Sequence, residues 1–469
     1  MIAESTTATA TSLVQRYADL EVRAGGISAS VRGMRFNALL ADALVRDGVD
    51  ADADRRGPNG EVDVAFFLDG TWYLMEAKWY TDPITVEPLR QLRDILTQRR
   101  PGTIGILASR SGFDDSARRR AAEVRDVVLF DRPHLEALIG GVATGSELVT
   151  AANRSIAVYG QPDVPLAALL RPRRPDPAPL QLGVPEEFTT AAVAAPDGVD
   201  ATVVAHGPAI TGVGVDGDRL LVAVTDGVMD LGNHRRSRPR RRLELTGGVG
   251  DPMVTADGDL LVVRGSGVLR VAGDEVVVAA GGFARAPLLV PGPGGVPWLL
   301  DRRGRTRPTE RRSATGSPST EHAALVEPGA GLGDARRWPA GLPAGACQAA
   351  CWLRDRTFFV LGAGHSAVID IDTGRYEWII TPVGQPHGLV RLDERRVLLV
   401  GADRYVQTVV LDTVTHAASP PTAVNLAGPV RSATRIGDAV YVLARAPLDH
   451  ATTVPVVARL DLGRIGATC

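Results

Sequence analysis

The sequence predicts two domains of different class: an α/β domain, in which helices flank a mixed sheet, and an all-β propeller of six or seven blades. Three observations predict this. A β-hairpin pattern is followed by alternating helices and strands, a proline-dense stretch follows near residues 171–179, and short apolar runs then recur about every ~40 residues. We expect the first domain at 12–142, a helical segment and linker at 143–182, and the propeller at 183–469.

Composition limits the class of protein. Apolar residues make up 45% of the 469 residues, enough for packed cores, and the net charge is only −2. Any nucleic-acid-binding surface must therefore be local. Three cysteines exclude a disulfide framework and favour a cytoplasmic location. No apolar run approaches the ~20 residues of a membrane span, so no membrane association is expected.

The hairpin lies between residues 60 and 79. Two β-branched and aromatic runs flank Asp69-Gly70, the strongest short-range signal for a two-residue turn. With that turn Leu68 faces Thr71, which places Asp63 opposite Glu76 and Glu61 opposite Lys78. Because residues two apart on a strand share a face, Glu76 and Lys78 project together. The hairpin is therefore expected to gather carboxylates and one ammonium on one patch.

Two interpretations of this patch stay open. Facing like charges destabilise a strand pair, and a bound divalent cation such as Mg²⁺ would resolve that conflict. Lys78 would then orient a water molecule or offset charge on a phosphate. The alternative is an ordinary ion cluster at a strand end, in which Lys78 neutralises one carboxylate.

The motifs around the hairpin resemble the Mrr-like branch of the PD-(D/E)xK nucleases. They are Asp63 followed by Glu76-Ala77-Lys78, together with Arg32–Phe36, Gly60–Asp63 and Gly102–Ser109, and they cover about residues 30–140. The resemblance implies a restriction-endonuclease-like fold, DNA as substrate, Mg²⁺ or Mn²⁺ as cofactor, and a role in restriction or defence. It implies that Asp63, Glu76 and the Ala77 carbonyl hold the metal and that Lys78 is catalytic.

Two further positions follow from the resemblance. Gln91, on the helix after the hairpin, best matches a glutamine that lines the site in this family. Asn37 stands where the family commonly has a metal-binding glutamate, a departure that bears on a second metal. An RNA substrate uses the same residues, and cleavage of both strands of a duplex implies a homodimer.

Periodicity predicts the remaining elements of the first domain. We expect helices at 12–25, 31–46, 83–99, 111–125 and 133–139, and buried strands at 103–109 and 127–130. Residues 50–59 are polar and predict a turn-rich connection, and 145–170 predict one or two more helices.

The propeller is predicted from a repeat. Turn residues that open apolar runs start at Asp218, Asp259, Gly295, Asp355, Glu394 and Asp438, in steps of 41, 36, 60, 39 and 44 residues. The long step predicts an insertion at about 302–341. Residues 188–204 predict either a seventh blade or the strand that closes the ring. An irregular pair of β-sandwiches is the alternative fold.

Arginine clusters are candidate nucleic-acid contacts. The two groups are Arg118 and Arg119 on a helix of the first domain, and Arg235, Arg236, Arg238, Arg240, Arg241 and Arg242 on a propeller loop. Cationic side chains that contact phosphates add affinity independent of sequence. The alternative is a solvated, mobile loop.

Two functions therefore remain. The first is a metal-dependent DNA endonuclease whose propeller senses or binds an unknown protein or ligand. The second is a non-catalytic nucleic-acid-binding sensor or scaffold, which Asn37 favours and the intact Asp63, Glu76 and Lys78 set opposes.

Overall fold

The structure, a computed structural model, describes residues 13–21, 27–57, 60–183, 197–233, 238–283, 285–293, 296–302, 322–327, 336–343, 347–447 and 453–467. The chain forms two compact units, and the first boundary along the chain falls between Arg171 and Pro172. No described helix is long and apolar enough to cross a membrane.

The helices belong to the first unit: α1 (residues 13–21), α2 (Ala29–Arg46), α3 (Val86–Thr97), α4 (Asp115–Glu123), α5 (Arg132–Ile139), α6 (Gly145–Tyr159) and α7 (Leu166–Leu169). Their starts follow capping chemistry. The Ser28 hydroxyl accepts the backbone N–H of Val31 at the start of α2, and Asp114 does the same for Ala117 at the start of α4.

The sheet of the first unit has five strands in the order β1 (Asp50–Gly57), β2 (Gly60–Leu68), β3 (Thr71–Lys78), β4 (Ile104–Ser109) and β5 (Val127–Phe130). The first three strands are antiparallel, and β3, β4 and β5 are parallel. This is the expected mixed sheet. Leu92 of α3 and Ala117 of α4 pack with Leu107 of β4 in one buried cluster.

The hairpin turn is confirmed in detail. Asp69 and Gly70 both have positive φ angles, 49° and 82°, as a two-residue hairpin turn with right-handed strand twist requires. Leu68 pairs with Thr71, and the register continues to Val64 opposite Met75.

One element of the first unit was not expected. The prediction of a turn-rich connection at residues 50–59 is wrong, because Asp50–Gly57 forms strand β1 and pairs with β2 from Asp50↔Phe67 onward. This polar sequence does not by itself predict a strand, and the neighbouring strand β2 supplies the partners for its backbone hydrogen bonds.

The second unit is a six-bladed β-propeller. Five blades are four-stranded and the sixth has five strands. In chain order the strands are β6 (Gln181–Leu182), β7 (Thr202–His206), β8 (Ile210–Asp216), β9 (Arg219–Val224), β10 (Gly227–Asp230), β11 (Arg240–Glu244), β12 (Met253–Val254), β13 (Leu260–Arg264), β14 (Gly267–Ala272), β15 (Glu275–Ala280), β16 (Leu288–Pro291), β17 (Pro297–Asp301), β18 (His322–Glu327), β19 (Arg336–Pro343), β20 (Cys347–Arg354), β21 (Thr357–Gly362), β22 (His365–Asp370), β23 (Arg375–Ile380), β24 (Gly388–Arg391), β25 (Arg396–Ala402), β26 (Tyr405–Asp412), β27 (Thr422–Ala427), β28 (Val430–Ile436), β29 (Ala439–Pro447) and β30 (Thr453–Asp461).

The ring closes between the two ends of the propeller. Strand β7 pairs antiparallel with β30, so the last blade takes strands from both ends of the domain. Of the two expectations for residues 188–204, the described part supports the closing strand, and the blade number is six. Residues 188–196 lie outside the described residues.

The predicted insertion at 302–341 is too long. Residues 322–327 and 336–343 are β18 and β19, the two last strands of the third blade. Residues 303–321 lie outside the described part of the chain. The pair of β-sandwiches is excluded, because each described sheet of this unit is one blade.

Candidate active site

A cavity of about 730 Å³ opens in the first unit around the end of the hairpin. Its walls come from α2, β1, β2, β3 and the segment between β3 and α3. The charged and amide-bearing residues on its wall include Asn37, Asp54, Glu61, Asp63 and Lys78. Of the hairpin residues predicted to converge, Glu61, Asp63 and Lys78 therefore meet at a concave surface.

Both oxygens of Asp63 are held by hydrogen bonds. Its Oδ1 accepts from Asn37 Nδ2 at 2.9 Å, and its Oδ2 accepts the backbone N–H of Ala77 at 2.8 Å. The backbone pairing of β2 with β3 ends at Val64↔Met75. The bond from the Ala77 N–H to Asp63 continues the contact between the two strands beyond that pair. Glu61 pairs with Arg56 of β1 rather than facing Lys78 in a ladder.

Lys78 joins the two carboxylates. Its Nζ contacts Oε1 of Glu76 and lies 3.7 Å from Oδ2 of Asp63. Glu76 does not itself line the cavity, and it reaches the site through this contact. The ammonium thus occupies the position in which a countercharge for both carboxylates is needed.

The ionisation of this pair reflects burial. Burial raises the pKa of Glu76 above its usual value, the negative charge of Asp63 raises it further, and Lys78 only partly offsets both. Burial alone would lower the pKa of Lys78, but the charges of Glu76 and Asp63 outweigh it and raise that pKa. The carboxylates therefore carry more negative charge than one ammonium neutralises.

The aromatic residue after Lys78 anchors the strand end. The Trp79 ring packs edge-on against Tyr17 of α1 and Phe36 of α2, with centroid distances of 5.5 and 5.0 Å. The guanidinium of Arg110 lies 5.3 Å from the same ring. Such contacts fix the backbone that carries Lys78.

Asn37 and Asp54 complete the site. Asn37 Nδ2 donates to Oδ1 of Asp54 at 2.8 Å as well as to Asp63, so one amide bridges two carboxylates. Asp54 has a positive φ of 51°, a conformation that non-glycine residues seldom adopt outside functional or turn positions. Sequence reasoning missed Asp54, because it lies in the polar segment that was predicted to be a turn-rich connection.

The donor set fits a divalent cation. Asn37 is 5% exposed, and its buried Oδ1 has no hydrogen-bond partner within the part of the chain that the structure describes. That oxygen lies in a group with two carboxylates, and Mg²⁺ takes such oxygens together with waters. Among the described residues no group of three or more His, Cys, Asp or Glu forms a complete metal site.

Lys78 is the only lysine in the chain, and all the other Lys and Arg positions are arginines. A compact ammonium whose pKa responds to its surroundings differs chemically from a guanidinium, which stays charged. This feature could have been found in the sequence and marks Lys78 more sharply than the motif spacing does.

Gln91 is not brought into this site. It is exposed on α3, where its Nε2 donates to Glu87 Oε1 at 3.3 Å, and it does not line the cavity. Leu89, Leu92 and Leu96 set the buried face of α3, and Gln91 lies off that face.

Arg118 and Arg119 also lie outside the cavity. Arg118 is paired with Asp163 and donates to the carbonyl oxygen of Phe113 at 3.2 Å. Arg119 is exposed on α4. Arg119 is therefore the more accessible candidate for a phosphate contact.

The propeller arginines also differ in whether they are exposed or already paired. Arg235 and Arg236 lie outside the described residues, and Arg238 and Arg240 are exposed. Arg240, Arg241 and Arg242 belong to strand β11, not to a loop.

Two of these arginines are already paired. Arg241 forms an ion pair of 2.9 Å with Asp226, and Arg242 forms one with Asp216. They stabilise the first blade, which weakens their case as phosphate contacts.

Comparison with known families agrees with the mixed sheet of the first unit. Residues 28–139 match the Mrr family model described as "Restriction endonuclease". The chain therefore carries a restriction-endonuclease-like domain of the Mrr type, followed by the six-bladed propeller. No curated protein matches the chain.

Solved structures resemble the chain over about half its length. A luciferin-regenerating enzyme has 13% identity and a TM-score of 0.40, covering 55% of this chain and 92% of its own. A gluconolactonase from Xanthomonas campestris has 15% identity and a TM-score of 0.39, covering 62% and 98%. At these identities and scores they add nothing to the architecture described above.

Proposed function

We propose that the first domain is a divalent-metal-dependent DNA endonuclease of the restriction or defence type, and that the propeller is its sensor or interaction module. The proposal rests on one observation: Lys78 lies beside Glu76 and Asp63 at the end of a strand that lines a cavity in an Mrr-type domain. We keep the domain limits 12–142, 143–182 and 183–469 as part of the proposal.

Asp63, Glu76 and the carbonyl oxygen of Ala77 are the groups that would hold Mg²⁺ or Mn²⁺. The ion, when bound, supplies charge stabilisation and a more acidic water. The bond from the Ala77 N–H fixes one oxygen of Asp63 and leaves the carboxylate oriented before any ligand arrives.

Lys78 acts on the attacking water and on the phosphate. If Glu76 turned toward a bound cation, the Lys78 ammonium would lose its closest partner and could donate to a phosphate oxygen. It would then position the water in line with the scissile bond and offset the negative charge that develops on the phosphoryl group.

Cleavage of supercoiled plasmid in Mg²⁺ or Mn²⁺ tests the proposal. We expect nicked or linear DNA from the wild-type protein, and none from Asp63→Ala or Lys78→Ala. Asp94→Asn is the matched control, because Asp94 is an exposed carboxylate on α3 of the same domain. Cleavage that survives in both site variants would show that the site is misplaced.

A non-catalytic nucleic-acid-binding module is the second candidate, favoured by Asn37 in place of the family's acid. It predicts plasmid retardation on a gel without cleavage at any metal concentration. Parallel assays with single-stranded RNA decide between DNA and RNA as target, and the molar mass of the DNA complex tests the proposed homodimer.

A further inference from the structure

A second cavity, of about 370 Å³, lies in the propeller channel. Its walls come from the innermost strands of all six blades, β8, β12, β16, β20, β24 and β28, or the residues next to them. Binding cavities of small molecules begin at roughly this size, near ~300 Å³. Nothing described so far uses this cavity.

Positive charge collects at the end where the innermost strands begin, which we call the leading end. Arg431 is the second residue of β28 and His387 directly precedes β24, and both line the cavity. Arg302, directly after β17, does not line the cavity, but its positive charge acts on His387. Burial lowers the pKa of His387, and the positive charges of Arg302 and Arg431 lower it further.

The guanidinium groups at this end are poorly compensated. Arg302 donates from Nη2 to the carbonyl oxygen of Ala286 at 3.1 Å, but its buried Nε has no partner in the described part of the chain. Burial and the neighbouring Arg285 lower the pKa of Arg302. Arg431 and His387 form no side-chain ion pair with any described residue.

The acidic groups at this end do not cancel the charge. Asp251 accepts from the Val213 N–H and the Ser432 hydroxyl, both at 2.9 Å, and contacts no cation. Burial raises the pKa of the Cys347 thiol to about 12, so it is neutral. Asp301, next to Arg302 in the chain, is buried, and its charge raises the pKa of Arg302 without outweighing burial and Arg285.

The other end of the channel gives the contrast. There the guanidinium of Arg391 lies 4.1 Å from the Trp352 ring, and Arg435 donates to the carbonyl oxygens of Leu392 and Gly437 at 2.9 and 2.8 Å. Those arginines serve the structure. At the leading end, by contrast, Arg431 lines the cavity and its side chain has no hydrogen bond or ion pair with any described residue.

We propose that the leading end of the propeller channel binds a small organic phosphate, held by Arg431 and His387 with Arg302 behind them. Guanidinium and imidazolium groups are strong donors to phosphate oxygens, and a dianion offsets several cations at once. The amide of Gln348, which also lines the cavity, adds a neutral donor. Apolar wall residues such as Ala350 and Leu389 receive the organic part. This proposal does not depend on the nuclease proposal.

Calorimetric titration of the full chain with phenyl phosphate tests the proposal, with inorganic phosphate, benzoate and phenol in parallel. EDTA and the Lys78→Ala background exclude binding at the nuclease site. We expect phenyl phosphate to bind more tightly than inorganic phosphate or benzoate, and phenol not to bind. Arg431→Ala is expected to weaken binding by roughly ten- to a hundredfold.

Arg375→Ala is the matched control, because Arg375 is exposed on β23, the outer strand of the fourth blade. It is expected to bind phenyl phosphate like the wild type. An equal loss in both variants, or no binding of phenyl phosphate at millimolar concentration, overturns the proposal.

Proton uptake gives an independent readout. A bound dianion raises the pKa of His387, so binding near neutral pH takes up a proton and tightens as the pH falls. Titrations in two buffers of different ionisation enthalpy measure that proton. The uptake is expected to fall in His387→Asn, and the remainder is taken up by Asp251, whose pKa burial raises to about 6 in the same cavity. An unchanged uptake would remove His387 from the site.

Discussion

Oδ1 of Asp63 accepts a 2.9 Å hydrogen bond from Nδ2 of Asn37, which places an amide where related nucleases commonly carry an acid. The same nitrogen also donates to Asp54. Asn37 therefore holds two carboxylates together without adding a charge. The residue that departs from the family pattern thus has a structural role.

Replacement of this amide should uncover the repulsion between the two carboxylates. We expect Asn37→Ala to lower the free energy of unfolding by about 1–3 kcal/mol, because Asp54 and Asp63 each lose their hydrogen bond from the amide. Urea unfolding measures this. Asn153→Ala is the control, since Asn153 donates to Tyr73 instead. A loss no larger than that of Asn153→Ala would contradict the proposed role.

The single lysine permits a direct measurement of the site. Reductive methylation with ¹³C-formaldehyde labels Lys78 and the chain terminus alone, so one dimethyl-lysine signal titrates in NMR. We expect its pKa to lie above the usual lysine value and to fall in Glu76→Gln, because the charge of Glu76 raises it. An unchanged titration in that variant would show that the two side chains do not interact in solution.

The parts of the fold that depend on local chemistry were predictable. Asp69-Gly70 fixes its turn through two positive φ angles, and the register of the hairpin follows from that turn. Strand β1 was not predictable, because its polar sequence becomes a strand only through pairing with β2.

The same distinction applies to the site. Asp63, Glu76 and Lys78 meet because the hairpin brings them together. Their spacing placed them on one patch, and the family resemblance assigned their roles and also singled out Asn37. Asp54 joins through the pairing of β1 with β2 and its hydrogen bond from Asn37 of α2, which a linear motif does not record.

The raised pKa of Glu76 predicts a cost to stability. A carboxyl group with a folded-state pKa above its unfolded value destabilises the fold at pH values above the folded pKa, and this cost disappears below the unfolded pKa. Glu76→Gln should therefore raise Tm at pH 7 without metal and have little effect at pH 4. Thermal unfolding measures both, and a lower Tm at pH 7 would contradict the prediction.

Bound metal should reverse the order of the two Tm values, because it stabilises the wild-type protein more than Glu76→Gln. Mg²⁺ or Mn²⁺ binds the folded wild-type protein and raises its Tm, whereas Glu76→Gln lacks one ligand and should respond less. Asp94→Asn, which leaves the site intact, should respond like the wild type. Equal metal-induced shifts in all three proteins would place the ion elsewhere.

The propeller offers a separate pH-dependent group. Burial raises the pKa of Asp251 from 3.8 to about 6, although the Val213 N–H and the Ser432 hydroxyl partly offset it. Because the ionised form is disfavoured in the folded state, Asp251 costs stability above pH 6 and little below pH 4.

An asparagine at position 251 keeps an oxygen that accepts both hydrogen bonds and carries no charge. Asp251→Asn is therefore expected to stabilise the propeller by on the order of 1–3 kcal/mol at pH 8, with the gain vanishing toward pH 4. Urea unfolding across that range measures it, with Asp274→Asn, at a turn between β14 and β15, as the control.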